Sequence, residues 1–363
     1  MNDLDDAYHD ISLDSLDDDL LFIYLISKYP SLTQADQRRR YNKIDVHSIH
    51  EREFRHLTRF DYTDLCQLAC LLQIPETFTV SRHRFSRIEG LFILCVRLAF
   101  PYRTETLSIF LGWSPTAISR ASNYILLHIQ ANWQYLLHDF NSGHLTEERL
   151  TLYAQAISNK GAPLDKCWGF LDCTIRAISR PIQWQRELYN GHHREHSLKY
   201  AAVKCPDGLI RHLYGPIPGR RNDNHLLKQS QLLERCLEYA PEFYLYGDSA
   251  YGKYQVLLSP WSRIELSEAQ FEFNLQMSRV RECVEWGFED ILRLWTSLTF
   301  TRSQKLFGTL VGAQFKVATL LTNLHICLYG CQTSRYFNLN PQSLEDYLKF
   351  GPKPTFQDLT LSE

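Results

Sequence analysis

The chain has 363 residues, of which 44% are hydrophobic, 13% aromatic and 22% charged. That is enough apolar surface for a packed core in two or three units, and it excludes collagen-like, low-complexity and wholly disordered classes. The formal net charge of −2 hides an uneven distribution: residues 1–20 hold eight Asp and no Lys, Arg or Glu, and the 33 acids left over face 39 Lys and Arg, a net +6.

In chain order, residues 1–20 read as an acidic, disordered, solvated tail, with competition against DNA for a basic face as the alternative role. Residues 21–155 show helical periodicity and read as an all-α region, opened by Arg38, Arg39, Arg40 and Lys43 and carrying a second basic cluster at Arg82, Arg84 and Arg87. Within it, Thr104–Leu111 reads as a short helix, Gly112-Trp113 as a turn, and Ser114-Pro115 as an N-cap followed by Pro at the first helical position. The spacing over about 104–130 is that of a helix-turn-helix, and Ser119, Arg120 and Asn123 would then stand on the outward face, placed to meet DNA. A purely structural helical hairpin is the competing reading.

From 160 onward strands and helices alternate. Leu171-Asp172 ends an apolar strand, His196–Lys204 and Leu209–Tyr214 form a hairpin turned by Cys205-Pro-Asp-Gly208, and Asp223 opens a helix running to about Ala240. Phe243–Tyr246 is a further apolar run that ends in Gly247-Asp248, and one long helix, Ser267 to about Ser297, puts Arg281 and Glu285 four apart on one face. The order β-β-β-α-β-α places an acid at the first strand, the first helix, the fourth strand and a late helix. This is the element order of an α/β, ribonuclease-H-like mixed-sheet nuclease, in which Asp172 and Asp248 lie on neighbouring strands. Carboxylates gathered in this way repel one another unless divalent cations neutralise them, and hard oxygen donors suit Mg2+ or Mn2+.

Leu171-Asp-Cys-Thr174, Tyr189-Asn-Gly-His192, Pro206-Asp-Gly-Leu-Ile210, Gly215-Pro216, Gly219-Arg220, Asn222-Asp223, Tyr246-Gly-Asp-Ser-Ala-Tyr251 and the stretch from Asn274 through Arg281 to Val284-Glu285 resemble the DDE transposases of the PIF/Harbinger superfamily. The resemblance covers about residues 165–330. It implies a nuclease domain over 160–335 with Asp172, Asp223, Asp248 and Glu285 as metal-binding catalytic carboxylates, and leaves open whether Asp223 or Asp248 is the second member of the triad. It also implies Mg2+- or Mn2+-dependent cleavage and joining of DNA at transposon ends and target, and action in the nucleus. A Myb-like DNA-binding protein and a homo-oligomer are the further partners expected. The chain departs from the family pattern at Cys173, Asn222 and Glu289, none of which removes a carboxylate. A domesticated DNA-binding or scaffold protein with an idle nuclease is the alternative function.

Around the acids, Arg194 and Lys199 (with His192, His193, His196 and Lys204) and the pair Arg220-Arg221 are candidate phosphate contacts, against the plain reading of solvated basic loops. Arg281 is expected beside Glu285, orienting it or forming a surface pair. Ten cysteines without a C-x-x-C and a start without a secretory signal read as reduced, buried thiols of an intracellular protein. The apolar stretch 306–330 contains Lys316, Asn323 and His325, so it reads as a buried helix with no membrane span. Residues 336–363 read as a C-terminal tail.

Overall fold

A computed structural model describes residues 43–80, 82–140, 143–261 and 265–354. The acidic segment 1–20, the arginines at 38–40 and the end of the chain from 355 lie outside the described residues.

The first region is helical but not all-α. Helices α1 (Glu51–Thr58) and α2 (Tyr62–Leu71) are followed by a two-stranded hairpin, β1 (Thr77–Val80) and β2 (His83–Ser86), then α3 (Arg87–Ala99). The hairpin follows from the alternation Thr-Phe-Thr-Val and His-Arg-Phe-Ser, whose inward Phe78 and Phe85 are cross-strand partners 5.6 Å apart. Reading Arg82, Arg84 and Arg87 only as a charge cluster hid that period. Helix α3 starts from a reciprocal Ser86/Glu89 capping box. Next come α4 (Thr104–Leu111), which ends on left-handed Gly112, and α5 (Pro115–Trp133), capped by Ser114 as its sequence predicts. Helix α6 (Glu147–Ser158) then lies against the sheet.

The main sheet is mixed. Its long strand β3 (Cys167–Ala177) pairs antiparallel with β5 (Glu195–Lys204), which pairs with β6 (Ile210–Pro218) and, at its first residues, with the short β4 (Tyr189–Asn190) reached through helix α7 (Gln185–Leu188). On its other side β3 runs parallel to β7 (Tyr244–Tyr246), and β7 runs parallel to β8 (Leu257–Leu258). Between β6 and β7 the expected single helix is two, α8 (Asp223–Ser230) and α9 (Leu232–Tyr239), because Gln231 takes a left-handed conformation. The expected long late helix is likewise two, α10 (Glu268–Arg281) and α11 (Cys283–Leu294), interrupted at Glu282. Helix α12 (Val311–Tyr329) is the buried apolar helix; no helix among the described residues is long and apolar enough to cross a membrane.

The residues after 335 are no loose tail as far as 354. Helices α13 (Gln332–Phe337) and α14 (Leu344–Leu348) pack down, with Tyr347 fully buried and its hydroxyl accepting from Asn323 on α12. Nor do the two expected domains have separate cores. One apolar cluster joins Phe54, Phe92 and Ile125 of the helical region to Tyr200 of the sheet and Leu321 of α12. Trp113, Trp168 and Trp295 are core residues, and among the described cysteines, none of which is disulfide-bonded, Cys70 is exposed rather than buried.

Two buried histidines give this core a pH dependence. Among the described residues, His212 and His144 have no hydrogen-bond partner at either ring nitrogen, and burial, with nearby arginine charge, pushes both pKa values down to about 3. Both rings therefore stay neutral in the folded chain while the unfolded chain protonates near the ordinary value of about 6.5. The stability they confer is complete above that value and is lost as pH falls below it, by up to about 1.4 kcal/mol per pH unit for each. Urea unfolding at pH 7 and pH 5 checks this: His212→Gln is expected to lose less stability between the two than wild type, and an unchanged difference refutes the assignment.

Candidate active site

Strand register brings the first two acids together. Phe170 pairs with Tyr246 across the parallel β3–β7 ladder, and Asp172 and Asp248 each stand two residues further on. Asp248 leaves the strand into a tight turn in which its Oδ1 accepts from the Ala250 amide at 2.8 Å. Glu285 reaches the same region on the first turn of α11. That helix approaches β5 closely at Gly287, where an added Cβ would fall 2.3 Å from Lys204 Cδ, and Asp290 one turn on meets Lys204 Nζ at 3.6 Å. Lys204 is thus a buried anchor for α11 and not a phosphate contact. The convergence has an electrostatic signature: the Asp172 carboxyl is raised above the usual carboxylate range, chiefly by burial, with the charges of Asp248 and Glu285 adding to it and Arg281 and the Cys173 amide opposing.

Arg281 pairs with Asp172 rather than with Glu285: its guanidinium donates from Nη2 to Asp172 Oδ1 at 3.1 Å, a pair about one-fifth exposed on each side. A cation of this chain therefore already balances the first-strand acid.

Asp223 is held elsewhere. It is the first residue of α8, whose N-cap Asn222 accepts from the His225 amide, and its Oδ1 receives Lys199 Nζ at 2.8 Å. Lys199 donates also to the Arg221 carbonyl and is buried, so it positions the start of α8 and is no surface cation for DNA. Side chains alternate along a strand, so Lys199 and Ala201 on β5, with Cys173 opposite Ala201 on β3, point to the sheet face opposite Asp172. On that face Cys173 Sγ meets Tyr251 Oη at 2.9 Å, and burial, then the charge of Asp223, push the Cys173 thiol up. Strand register sets Asp172 and Asp248 on neighbouring strands, and Asp223 stands apart in its ion pair with Lys199.

The strand end before Asp223 tolerates little. Gly219 donates its amide to the Ser197 carbonyl and its carbonyl accepts from Asn190, while an added Cβ would lie 2.8 Å from the Ser197 carbonyl oxygen, a backbone atom that cannot swing aside. Gly219→Ala is expected to cost about 1–3 kcal/mol, the range for overpacking. Denaturant unfolding measures it, and a variant within 0.5 kcal/mol of wild type, roughly the scatter of neutral surface changes, contradicts the close approach.

Of the remaining residues expected to meet DNA, Arg194, Arg220 and Arg221 are exposed near this end of the sheet. On α5, Arg120 is exposed, but the Asn123 side-chain oxygen and the Ser119 carbonyl both accept from Arg97 of α3, which turns Asn123 into the helix packing. Sequence reasoning missed the partners of Arg281, Lys199 and Arg97, all of which come from distant segments.

Asp172, Asp248 and Glu285 are hard oxygen donors, the kind a divalent ion takes. Among the described residues, however, no group of three or more His, Cys, Asp or Glu side chains is arranged as a finished metal cage. Comparison with curated proteins and with solved structures returns no match. A family model described as DDE superfamily endonuclease matches residues 171–323, a segment that starts at the Asp172 strand, holds all four acids and ends in α12, so over that segment the chain is similar to DDE-type nucleases.

Proposed function

We propose that the chain is a transposase-type nuclease of the PIF/Harbinger kind that cleaves and joins DNA phosphodiesters at Asp172, Asp248 and Glu285, with Asp223 as a supporting acid. The observation that carries this reading is the β3–β7 register, which sets Asp172 and Asp248 each two residues beyond the paired Phe170 and Tyr246. The strand order supports a ribonuclease-H-like topology for the site: β3, β5 and β6 antiparallel, then β7 and β8 parallel to β3. Bound Mg2+ or Mn2+ supplies the positive charge that lets the acids share one site and activates a water or a 3′-hydroxyl toward phosphorus.

This chain's own residues do the rest. Arg281 holds Asp172 and offsets its charge while the site is being filled. Lys199 fixes Asp223 and the start of α8 beside it. Exposed Arg194, Arg220 and Arg221 attract the phosphate backbone. The same reading places the protein in the nucleus, on transposon-end and target DNA, with a Myb-like partner and self-association.

The test is nicking of labelled duplex DNA by the purified chain with Mg2+ or Mn2+ against EDTA. Cleavage that appears with metal and vanishes with EDTA supports the nuclease. DNA binding without cleavage, with transposon-end sequences and a Myb-like partner supplied, overturns it in favour of a DNA-binding scaffold whose nuclease is idle.

A further inference from the structure

A second site lies away from the acids. A cavity of about 560 Å3 opens between the α3–α4 connection and the segment 297–314, next to Ser179 just past the end of β3. Ser179 is seven residues beyond Asp172 on an extended path, which places it roughly 20 Å away at about 3.3 Å per residue. Arg103, Arg302 and Lys305 stand at the cavity, and among the described residues none of them has a carboxylate within ion-pair distance; Glu105 is the one acid in the lining. Arg97 forms part of the inner wall, its guanidinium held by Ser122 and Asn123.

The walls are aromatic as well as cationic. Phe100 and Tyr102 line the cavity with rings nearly parallel, 5.6 Å apart at 4°. Phe300 on the lining is 41% exposed. Ser179 ties this segment to the loop after β3: its amide donates to the Gln304 carbonyl and its hydroxyl to the Thr301 carbonyl. That loop carries Ile182, 95% exposed, and Trp184, 60% exposed. Large apolar side chains left in water around unpaired cations mark a binding surface. A protein partner would explain the apolar groups but would match the cations only by presenting carboxylates, whereas a nucleic-acid strand carries a phosphate at every nucleotide.

We propose that this cavity takes an unpaired nucleotide of the DNA strand, its base against the aromatic wall and its phosphates on Arg103, Arg302 and Lys305. The inference rests on the reading of the chain as a DNA enzyme and adds where single-stranded DNA is held. Its volume falls within the span of small-molecule sites, about 300–1,000 Å3. A base enters such a pocket only when it is out of the duplex stack, and alternating aromatic and cationic groups are the usual means of holding unpaired strands. The Gln314 side chain, also on the lining and without a hydrogen-bond partner among the described residues, offers both a donor and an acceptor to a base edge.

Fluorescence anisotropy with a labelled oligothymidylate and a blunt duplex of equal length, in EDTA at one salt concentration, tests the proposal. Arg302→Glu combined with Lys305→Glu is expected to weaken single-strand binding by roughly tenfold or more, while Tyr102→Ala weakens it with little effect on the duplex. Lys166→Gln, just before the opposite end of β3 and paired with Glu242, is expected to leave single-strand binding unchanged. Rim variants that bind the oligothymidylate like wild type overturn the proposal, as does a loss equal for both DNAs, which would mean a plain backbone contact. If wild type nicks duplex DNA with metal while the rim variants bind single strands normally, the nuclease stands and only this inference fails; if wild type binds neither DNA, both fail.

Discussion

Asp172→Asn is expected to abolish metal-dependent nicking, a fall of roughly 10³-fold or more, while the protein melts within a few degrees of wild type. The size follows from the role: loss of a ligand carboxylate removes several kcal/mol of charge stabilisation, and each 1.36 kcal/mol is a factor of ten in rate. The small change in stability follows from the surroundings. Asp172 is half-buried, and its charged form is disfavoured by burial and by Asp248 and Glu285, so neutralising it relieves repulsion even as it weakens the pair with Arg281. That pair is partly exposed, and such pairs contribute little, about 0–1 kcal/mol. Nicking rates and thermal melts on the same preparation separate the two effects. An active Asp172→Asn protein removes Asp172 from the catalytic set, and an unfolded one would make it a structural residue.

Asp207→Ala is expected to be the most destabilising single change at a charged position. Asp207 lies in the turn between β5 and β6 and is fully buried. Its Oδ2 accepts from Arg211 Nη2 at 3.1 Å and from Tyr153 Oη at 2.5 Å, and its Oδ1 accepts from the Leu209 amide at 3.0 Å. Arg211 is buried too, and besides Asp207 its guanidinium donates to Tyr153 and Gln342. Removing the acid leaves a buried guanidinium without counter-charge, which costs about 3–5 kcal/mol. Whole-domain stabilities are about 5–15 kcal/mol, so the variant stands near unfolding at room temperature. Urea denaturation measures the loss; a change below about 1 kcal/mol would mean that solvent reaches Arg211. The Asn variant is expected to recover part of the loss, because an amide oxygen can still accept from Leu209.

The two predictions mark two kinds of residue that look alike in the sequence. Asp172 and Asp207 both follow apolar runs, but Asp172 lies inside β3, which continues to Ala177, whereas Asp207 stands in the turn after β5. Asp172 was legible as chemistry because it and Asp248 each end an apolar run, and parallel neighbours carry such ends to one edge. Asp207 looked like an ordinary Pro-Asp-Gly turn, since its partner Tyr153 comes from 54 residues away and Gln342 contacts Arg211 from 131 residues away. The β1–β2 hairpin, by contrast, was legible in Thr-Phe-Thr-Val and His-Arg-Phe-Ser and was obscured by counting arginines.

By itself the sequence determined the order of the main strands, the Ser114 cap and Gly112 stop of the α4–α5 turn and the buried character of α12, because each depends on local period, capping or turn chemistry. Only the tertiary structure decided that Arg281 balances Asp172 and Lys199 balances Asp223, that the helices break at Gln231 and Glu282, and that a cationic, aromatic cavity opens beside Ser179. The physical reason is range. Hydrogen bonds within a turn and side-chain periodicity act over three or four residues, whereas charge pairing and cavity walls are set by whichever distant segments packing brings within a few ångströms, here 109 residues apart for Arg281 and Asp172.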